Sequence, residues 1–504
     1  MLASNVVREG TFRVYSSQVL IAGGGPTGLW LACELRRYGI DVTILEQRSS
    51  RTGESRAGGL HARSLEILGS RGLADRFVAA GRRVPFAHFA GLWLEMGRLD
   101  TAYPYVLGLV QSRIEALLED HLLELGAKVR WGAEIAEVVP FSDHVEVTTA
   151  TGERFTADYL VGCDGGRSTV RRRLGIPFDG TDATVSSMLA DVRLAEPPGP
   201  IFQRRTPLGD FSVLQLEAGH HRLMLNHYEP ATTTAPPDLA EFRAAFTALA
   251  GTDFGLHSPQ WISRYHDAAR LAARYRDGRV LLAGDAAHIH WPAGGQGLNT
   301  GLQDATNLGW KLALTVDGHA PAPTAPTLVN APPLAPPTAP SPADLTTRTA
   351  AELNALAAGA PVAAPTEGLA LLDTYEAERR PVAARVLANT RAQTALCRPG
   401  PHTDALRATV ADLLTIPEAN DRLAAMVAGL DQADRAPATP LAPGRGTLTA
   451  PPETLTTASP WADRVDTRPD TQERLVRPDG HIAWSGGPGL HEALTTWFGP
   501  TTAR

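Results

Sequence analysis

Cysteine is scarce in this sequence of 504 residues, and long apolar segments are missing from it. The three cysteines, Cys33, Cys163 and Cys397, are far apart, so they match no metal-binding spacing and cannot form a paired disulfide framework. No run approaches the 20 or so apolar residues of a membrane-spanning helix. The formal net charge of −7 argues against a nucleic-acid binder, which is usually basic. We therefore expect a cytoplasmic protein that binds neither nucleic acid nor a membrane.

What the sequence does contain is a glycine-rich turn between two apolar segments. Residues 19–22 predict a buried strand, and Gly23, Gly25 and Gly28 then form a G-x-G-x-x-G motif in front of a helix predicted from Leu29. A second strand, residues 41–45, ends at Glu46, where dinucleotide folds place the acid that binds a ribose hydroxyl. The pattern predicts a dinucleotide site, with the pyrophosphate at the N-terminus of the helix. A lipoprotein signal ending at Cys33 is a weaker alternative, because cleavage there would remove the motif.

Two further units have the same order of strand, loop and helix. Residues 154–161 lead into Asp164 and a helix from residue 168, and residues 279–283 lead into a glycine-rich loop and a helix from about residue 299. Ligands of such sheets lie beyond the carboxyl ends of the strands. Between these units, residues 178–270 alternate between apolar and polar side chains, which predicts an antiparallel sheet. Residues from about 319 to 368 are rich in Ala, Pro and Thr and predict a disordered insertion.

Three motifs together resemble the group A flavoprotein monooxygenases, which have the para-hydroxybenzoate hydroxylase fold: "GGGPTG", "CDGGRSTVR" and "LLAGDAAH…PAGGQGLNTGLQDA". "ESRAGGLHARSLEIL", "LLDTYEAERRPVA" and "LVRPDGHIAW" are similar to the branch that includes aromatic polyketide hydroxylases and rifampicin monooxygenase. The resemblance implies an α/β fold with a Rossmann-like FAD-binding domain at residues 17–84, 109–178 and 273–395. It implies an antiparallel substrate domain at residues 85–108 and 179–272. Residues 396–504 would form a helical segment and a short, degenerate thioredoxin-like domain without a C-x-x-C motif.

The same resemblance implies which residues bind the cofactor. The adenosine and pyrophosphate would lie against Gly23, Gly25, Pro26, Thr27, Gly28, Glu46, Gln47 and Arg48. Arg56 and Gln111 match positions that contact the flavin, Asp285 matches the acid on the ribityl chain, and Asp164 matches a position linked to both FAD and nicotinamide. The isoalloxazine would lie beside Pro292, Gly295, Gly297, Leu298 and Asn299. Of these, Pro292 and Gly297 are the candidates for a catalytic backbone position, and no metal site is expected.

The implied reaction is hydroxylation of a bulky aromatic polyketide or antibiotic by a flavin C4a-hydroperoxide, with O₂ and either NADPH or NADH as co-substrates. The cofactor performs the difficult chemistry, so the protein has to position the substrate and exclude water. An apolar roof formed by the antiparallel sheet would suit that task. Baeyer–Villiger oxidation and a non-catalytic FAD- or antibiotic-binding protein remain alternatives, whereas the W-x-W-x-I-P signature of flavin halogenases is absent. The sequence leaves monomer and homodimer open.

Several histidines and arginines allow two interpretations. His220, His221, His227 and Tyr228 are candidates for a general base in the roof. His288 and His290 could bind a metal, although loop packing is favoured because no further ligand cluster is present. His61 could act as a base or pack beside the flavin. The arginines at 171–173 could bind an NADPH phosphate or form a solvated helix end, and Arg204 and Arg205 could lie at the mouth of the pocket.

Overall fold

The computed structural model describes residues 6–9, 12–51, 53–229, 235–320, 370–432, 435–436 and 445–501. The predicted disordered insertion therefore lies, from residue 321 onward, outside the described residues. Among the described helices, none is both long enough and apolar enough to cross a membrane.

The strands are, in chain order, β1 Val6–Glu9, β2 Phe12–Ala22, β3 Val42–Glu46, β4 Gly59–Leu60, β5 Arg82–Val84, β6 Phe86–Phe89, β7 Leu92–Glu95, β8 Val106–Gly108, β9 Val129–Trp131, β10 Ile135–Pro140, β11 Val145–Thr149, β12 Arg154–Gly162, β13 Phe178–Thr181, β14 Ser186–Leu194, β15 Ile201–Arg205, β16 Gly209–Gln215, β17 His221–His227, β18 Leu256–His266, β19 Ala269–Ala272, β20 Arg276–Asp277, β21 Val280–Leu282, β22 His288–Ile289, β23 Gly446–Ala450, β24 Val465–Pro469, β25 Arg474–Val476 and β26 Ile482–Trp484. The α-helices are α1 Pro26–Arg37, α2 Ala62–Ser70, α3 Ala74–Ala80, α4 Gln111–Glu124, α5 Thr169–Arg173, α6 Leu239–Ala250, α7 Gln296–Val316, α8 Asp373–Cys397, α9 Pro401–Leu413, α10 Pro417–Ala428, α11 Pro452–Leu455 and α12 Leu490–Phe498.

A parallel sheet in the order β21-β12-β2-β3-β9 forms the centre of the main domain. The carboxyl-terminal halves of β2 and β12 are apolar, as expected for strands that are covered on both faces, and Val19, Leu20 and Ile21 of β2 are fully buried. The antiparallel strands β10 and β11 extend the sheet beside β12. Because the core strands are parallel, β2, β3, β12 and β21 all end at one edge of the sheet.

Helices α1 and α7 pack against each other over this sheet at a distance that glycine makes possible. A Cβ on Gly301 would lie 2.4 Å from Thr27 Oγ1, and a Cβ on Gly309 would lie 2.7 Å from Glu34 Cβ. Trp30 Nε1 donates a hydrogen bond of 2.8 Å to Thr306 Oγ1 across the same contact. The position of α7 is therefore fixed relative to the turn that precedes α1.

The predicted antiparallel sheet, which we call the roof, has the strand order β15-β16-β17-β14-β18. One of its faces packs against α6, whose Phe242 and Phe246 are fully buried in a cluster with the sheet. Its other face is turned toward the carboxyl edge of the main sheet, as the contacts described below show.

The C-terminal domain has a sheet in the order β24-β23-β25-β26, in which β23 and β24 are parallel and the other pairs are antiparallel. Its apolar core includes Trp461, Trp497 and Phe498 and continues into Trp310 of α7. This domain therefore shares one core with the helix that approaches the predicted flavin position. The arrangement matches the expected short thioredoxin-like domain.

Three predicted element boundaries were wrong by several residues. Helix α1 begins at Pro26 rather than Leu29, because proline is favoured in the first turn of a helix. Helix α7 begins at Gln296 rather than Asn299, directly after the left-handed Gly295. Strand β2 begins at Phe12, seven residues before the predicted strand, because its polar first half pairs with β1 and β12.

Candidate functional site

The glycine turn lies where β2, β3 and β12 end, and its backbone path requires glycine at two positions. Gly23 has φ of 104°, and a Cβ there would lie 2.4 Å from the carbonyl oxygen of Cys163. A Cβ on Gly28 would lie 2.1 Å from the carbonyl oxygen of Gly23. At Gly25, by contrast, a Cβ would meet no atom within 4 Å. The turn is thus closed toward the protein and open at Gly25, next to the unpaired N–H groups of the first turn of α1.

Glu46 lies at the end of β3 beside this turn. Its Oε2 accepts a hydrogen bond of 2.7 Å from the N–H of Gly24, and its Oε1 accepts one of 3.0 Å from the N–H of Arg48. An ionised carboxylate has about four acceptor positions, so both oxygens can accept a further bond. Gln47 and Arg48 follow Glu46 and are exposed. This geometry suits the predicted ribose contact of Glu46.

Asp285 follows β21 and combines exposure with an unfavourable electrostatic environment. Its side chain is exposed, yet desolvation by the surrounding protein raises the pKa of its carboxyl group. The charges of His288 and Arg56 oppose that shift, and Asp304 adds to it. Among the described residues, none donates a hydrogen bond to the Asp285 carboxylate. An exposed acceptor inside a cleft, without a protein partner, is suited to binding hydroxyl groups of a ligand.

The loop before α7 brings backbone N–H groups to the same cleft. Gly294 and Gly295 both have left-handed φ, of 70° and 67°, and the free N–H groups of the first turn of α7 follow them. Pro292 and Gly295 are exposed, and Gly297 and Leu298 are partly exposed. The amide end of a 21-residue helix can stabilise negative charge that develops on a ligand.

Asn299 supports this loop with its side chain. Its Oδ1 accepts hydrogen bonds from the N–H of His61 (2.8 Å) and from Ser64 Oγ (2.7 Å). Its Nδ2 donates to the carbonyl oxygens of Gly295 (2.9 Å) and Gly59 (3.3 Å). The side chain of this predicted flavin contact is therefore committed to the protein.

His61 is buried at the start of α2, with one ring nitrogen beside the loop before α7. Nδ1 lies 2.8 Å from the carbonyl oxygen of Val427, which can only accept, so Nδ1 carries the proton. Nε2 is then an acceptor, and it lies 3.4 Å from a Cβ built on Gly295. Desolvation lowers the pKa of His61 to about 4, which keeps the ring neutral. The location fits the predicted role beside the flavin better than the role of a charged group.

Two other predicted cofactor residues form contacts within the protein. Gln111 accepts a hydrogen bond of 3.1 Å from the N–H of Ala57 and donates one of 2.8 Å to Glu115. Asp164 Oδ2 accepts from the N–H groups of Thr169 (2.7 Å) and Val170 (3.1 Å) at the start of α5. Asp164 Oδ1 is buried without a partner, and desolvation raises the pKa of this carboxyl group. Gln111 thus positions the loop that carries Arg56, while Asp164 retains one free acceptor.

The residues with two interpretations in the sequence have defined surroundings in the structure. Arg171 donates to the carbonyl oxygens of Ala286 (2.7 Å) and Gly166 (2.8 Å), so it joins two loops of the site from inside the protein and is not available to an NADPH phosphate. His288 Nε2 lies 2.6 Å from Asp304 Oδ2, and His290 Nδ1 lies 2.7 Å from the carbonyl oxygen of Trp291. Both histidines therefore belong to loop packing. Within the described part of the chain, no three His, Cys, Asp or Glu side chains group as metal ligands would.

The roof turns a mixed face toward this cleft, so the expectation of an apolar roof was wrong. Side chains alternate along each strand, and those on the α6 face are buried and apolar. On the opposite face, Arg222 Nη1 donates to the carbonyl oxygens of Arg56 (3.4 Å) and Ala57 (3.2 Å). Tyr228 and Tyr265 pack on that face against the apolar cluster that includes Trp291 and Ala293. This second face, which we call the cleft face, therefore covers two loops that were predicted to bind the cofactor.

Strand register arranges the cleft face in three rows that cross the sheet. The first row is Arg205, Asp210, Asn226, Ser187 and Tyr265; the second is Gln203, Ser212, Met224, Leu189 and Ser263; the third is Ile201, Leu214, Arg222, Asp191 and Trp261. In the third row, Arg222 forms a buried bidentate ion pair with Asp191, with both contacts at 2.8 Å. The Arg222–Asp191 pair and the polar side chains of the first row thus lie on either side of Met224 and Leu189 in the middle row.

Of the four predicted base candidates in the roof, only Tyr228 has a place on the cleft face. His221 and His227 alternate with Arg222 and Asn226 along β17, so they belong to the α6 face. His220 lies in the turn before β17 and belongs to neither face.

Arg205 donates to the carbonyl oxygens of Cys397 and Arg398, both at 2.7 Å, and so ties the roof to the end of α8.

The sequence patterns did not predict that polar side chains of the roof would face the cleft. The alternation that predicted the roof also separates its two faces. Along β14, the even-numbered residues Met188, Ala190 and Val192 point to one face, whereas the odd-numbered Ser187 and Asp191 point to the other. The sequence contained this signal. The sequence did not show that the more polar face of the roof is turned toward the cleft, since an antiparallel sheet usually turns its polar face to solvent.

Comparison with known proteins places the whole chain in one group. A family model described as an FAD binding domain matches residues 16–325, and one described as the C-terminal part of aromatic-ring hydroxylases matches residues 422–501. Rifampicin monooxygenase from Streptomyces venezuelae is 40% identical over 523 aligned residues, which cover 96% of this chain and 99% of that protein. The structure of OxyS anhydrotetracycline hydroxylase from Streptomyces rimosus superposes with a TM-score of 0.81 at 38% identity and covers 97% of this chain and 100% of that one. Dialkyldecalin synthase from Streptomyces rugosporus is 35% identical and covers 96% of this chain and 99% of that protein.

Proposed function

This chain belongs to the FAD-dependent aromatic-ring hydroxylases, and from that membership we propose that it inserts one oxygen atom from O₂ into a bulky polycyclic aromatic substrate, with NADH or NADPH as the electron donor. The enzyme is a flavin-dependent monooxygenase, and FAD is its cofactor.

The observation that carries the proposal is the order in which hydrogen-bond donors and acceptors follow one another along the cleft. Glu46 is an acceptor at one end, the N–H groups of α1 follow at Gly25, Asp285 is a second acceptor, and the N–H groups of α7 lie at the other end. FAD presents ribose hydroxyls, a pyrophosphate, a polyol chain and an electron-poor ring in the same order. The residues therefore fit the cofactor, with Glu46 on the ribose, Asp285 on the ribityl hydroxyls and the loop from Pro292 to Asn299 beside the ring.

Bound FAD supplies the reductive activation of O₂ and the transfer of one oxygen atom to an electron-rich ring. The protein contributes orientation and electrostatics. The N–H groups of Gly297 and Leu298 would provide fixed donors for negative charge on the bound ring system, and the ring of His61 is neutral. The cleft face of the roof positions the substrate above Pro292 and limits the access of water.

The size of the substrate is proposed from the relatives and from the roof. Rifampicin and anhydrotetracycline are multi-ring compounds, and a rifampicin monooxygenase and an anhydrotetracycline hydroxylase match almost the whole chain. In the middle row, Met224 and Leu189 offer apolar side chains between the polar groups of the first row and the Arg222–Asp191 pair of the third, which is a suitable surface for a flat, polycyclic molecule. NAD(P)H is an intracellular donor, so we propose the cytoplasm as the compartment.

The test is NAD(P)H consumption by the FAD-loaded protein with rifampicin, anhydrotetracycline and para-hydroxybenzoate in turn. We expect a multi-ring compound to stimulate consumption and to gain one oxygen atom, labelled when ¹⁸O₂ is supplied. Catalase in a parallel assay separates hydroxylation from peroxide release. Turnover of para-hydroxybenzoate alone would contradict the substrate class. An unlabelled rearranged product would indicate a synthase, and a ring-expanded lactone would indicate Baeyer–Villiger oxidation.

A further inference from the structure

Four residues of the first row of the cleft face form, together with Tyr228, a continuous hydrogen-bond network centred on Asp210. Tyr228 Oη donates to Asp210 Oδ2 at 2.9 Å, and Asn226 Nδ2 donates to Asp210 Oδ1 at 2.7 Å. Asn226 Oδ1 in turn accepts from Ser187 Oγ at 2.7 Å and from Tyr265 Oη at 3.3 Å. The register places Asp210, Asn226, Ser187 and Tyr265 opposite one another on four neighbouring strands. The network is therefore held by the sheet itself.

The charged groups around Asp210 determine the direction of these bonds. Burial raises the pKa of the Asp210 carboxyl group, whereas Arg205 on β15 and Arg407 on α9 oppose the shift. An ionised carboxylate can only accept, so Tyr228 has to direct its proton toward Asp210. The lone pairs of Tyr228 Oη are then left for a partner on the other side. Tyr228 is partly exposed and packs against the cluster that contains Trp291, beside the flavin loop.

We propose that Tyr228 recognises a free hydroxyl group of the substrate by accepting its hydrogen bond, and that Asp210 is the positioning residue that makes Tyr228 an acceptor. This inference rests on the proposed function, and it narrows the substrate to polycyclic aromatics that carry a hydroxyl donor at the roof. An O-methylated analogue has no proton to give and would leave Tyr228 unpaired. Tyr228, oriented by the first row, thus selects substrates with a hydroxyl group, while Met224 and Leu189 of the middle row bind the rings.

The experiment measures binding without turnover. Wild-type protein loaded with FAD is titrated, in the absence of NAD(P)H, with 9-phenanthrol and separately with 9-methoxyphenanthrene, and the change in the flavin spectrum gives both dissociation constants. We expect the phenol to bind about tenfold more tightly than the ether, which is the size of one net hydrogen bond. In Tyr228→Phe the phenol should lose this advantage, while the affinity for the ether stays within about twofold.

Asp210→Asn gives a result that simple loss of structure would not give. The new amide can still accept from Asn226, and its NH₂ group then faces Tyr228 and donates to it. Tyr228 would turn its own proton toward the cleft, so the preference should move from the phenol toward the ether. Tyr159→Phe, in β12 and outside the roof, removes a hydroxyl of the same kind and should leave the preference unchanged. Unaltered melting temperatures and flavin spectra establish that the variants are folded.

The outcomes separate this inference from the proposed function. Equal affinities for phenol and ether in the wild type, or a preference that survives in Tyr228→Phe, overturn the inference even if the enzyme hydroxylates polycyclic compounds. A preference that follows Tyr228 and Asp210 supports it even if NAD(P)H is never consumed, and in that case the proposed function fails alone.

Discussion

At the residue scale, Asp285, which we propose as a ligand of the ribityl chain, shows how such a site would destabilise the protein without its ligand. The carboxylate is exposed, but the surrounding protein raises its pKa, and no described residue donates a hydrogen bond to it. The folded protein therefore holds a proton at Asp285 more readily than the unfolded chain does. Stability from this group is present at low pH and is lost as the pH rises through the raised pKa.

The variant Asp285→Asn tests this trade-off. The amide carries no charge, so the cofactor-free variant should melt at a higher temperature than the wild type at pH 7, and the difference should disappear at acidic pH. FAD affinity should fall roughly tenfold or more, because hydrogen bonds to a charged acceptor are replaced by weaker ones. Calorimetry of the cofactor-free proteins and fluorescence titration with FAD measure the two effects. A loss of stability at pH 7 would contradict the assignment of Asp285 as an unpartnered acceptor.

At the scale of elements, sequence patterns predicted the strand–loop–helix units but not the contacts between the ends of different units. The strand, glycine turn and helix at residues 19–46 were predicted because their signals are local: an apolar run, glycines and a terminal acid. Thr27 was predicted as a cofactor residue, but its side chain lies against Gly284 and Gly301, which are over 250 residues away in the sequence. Asn299 likewise faces His61 and Ser64. Such contacts depend on how distant elements pack, which one sequence does not show.

The turn between β2 and α1 allows protein packing to be separated from ligand contact. Gly25→Val places its side chain in open space, so the cofactor-free protein should keep its melting temperature, while the side chain occupies the position proposed for the pyrophosphate and FAD should no longer be retained on gel filtration. Gly97→Val is a matched control, since a Cβ there also meets no atom within 4 Å. If Gly25→Val retains flavin as the control does, the pyrophosphate does not lie at this turn.

At the scale of the whole molecule, a buried charge network fixes the C-terminal domain to the FAD-binding domain. Arg477 donates to both oxygens of Glu378 on α8 (2.8 and 2.7 Å) and to Asp479 (2.6 and 3.0 Å), and it stacks 4.2 Å from the ring of Trp497. Lys311 of α7 is fully buried 3.0 Å from Glu378, and desolvation lowers its pKa to about 8. Helix α7 is thus held at one end by the C-terminal domain, and at the other it begins at the loop that we propose lies beside the flavin.

Removing Arg477 should be costly because the two buried carboxylates of Glu378 and Asp479 then share Lys311 as the remaining cation of the network described above, which leaves a net negative charge in the interior. We expect Arg477→Ala to lower the free energy of unfolding by about 3–5 kcal/mol. Arg98→Ala breaks an exposed pair with Asp421 and should cost less than about 1 kcal/mol. Urea unfolding followed by tryptophan fluorescence compares the two variants. Similar midpoints for both would show that the network contributes no more than a surface ion pair.

The alternation of the two faces of the roof has a consequence for how this enzyme can evolve. Along each strand, the side chains that pack on α6 alternate with the side chains that face the cleft. An exchange in the middle row, such as Met224 or Ser212, therefore changes the contour offered to a substrate without opening a cavity on the α6 side. Substitutions in the middle row of the cleft face can thus change the substrate range without destabilising the fold. Directed evolution should find its tolerated changes at the positions of the middle row, and far fewer at Leu223 or Val213 beside them.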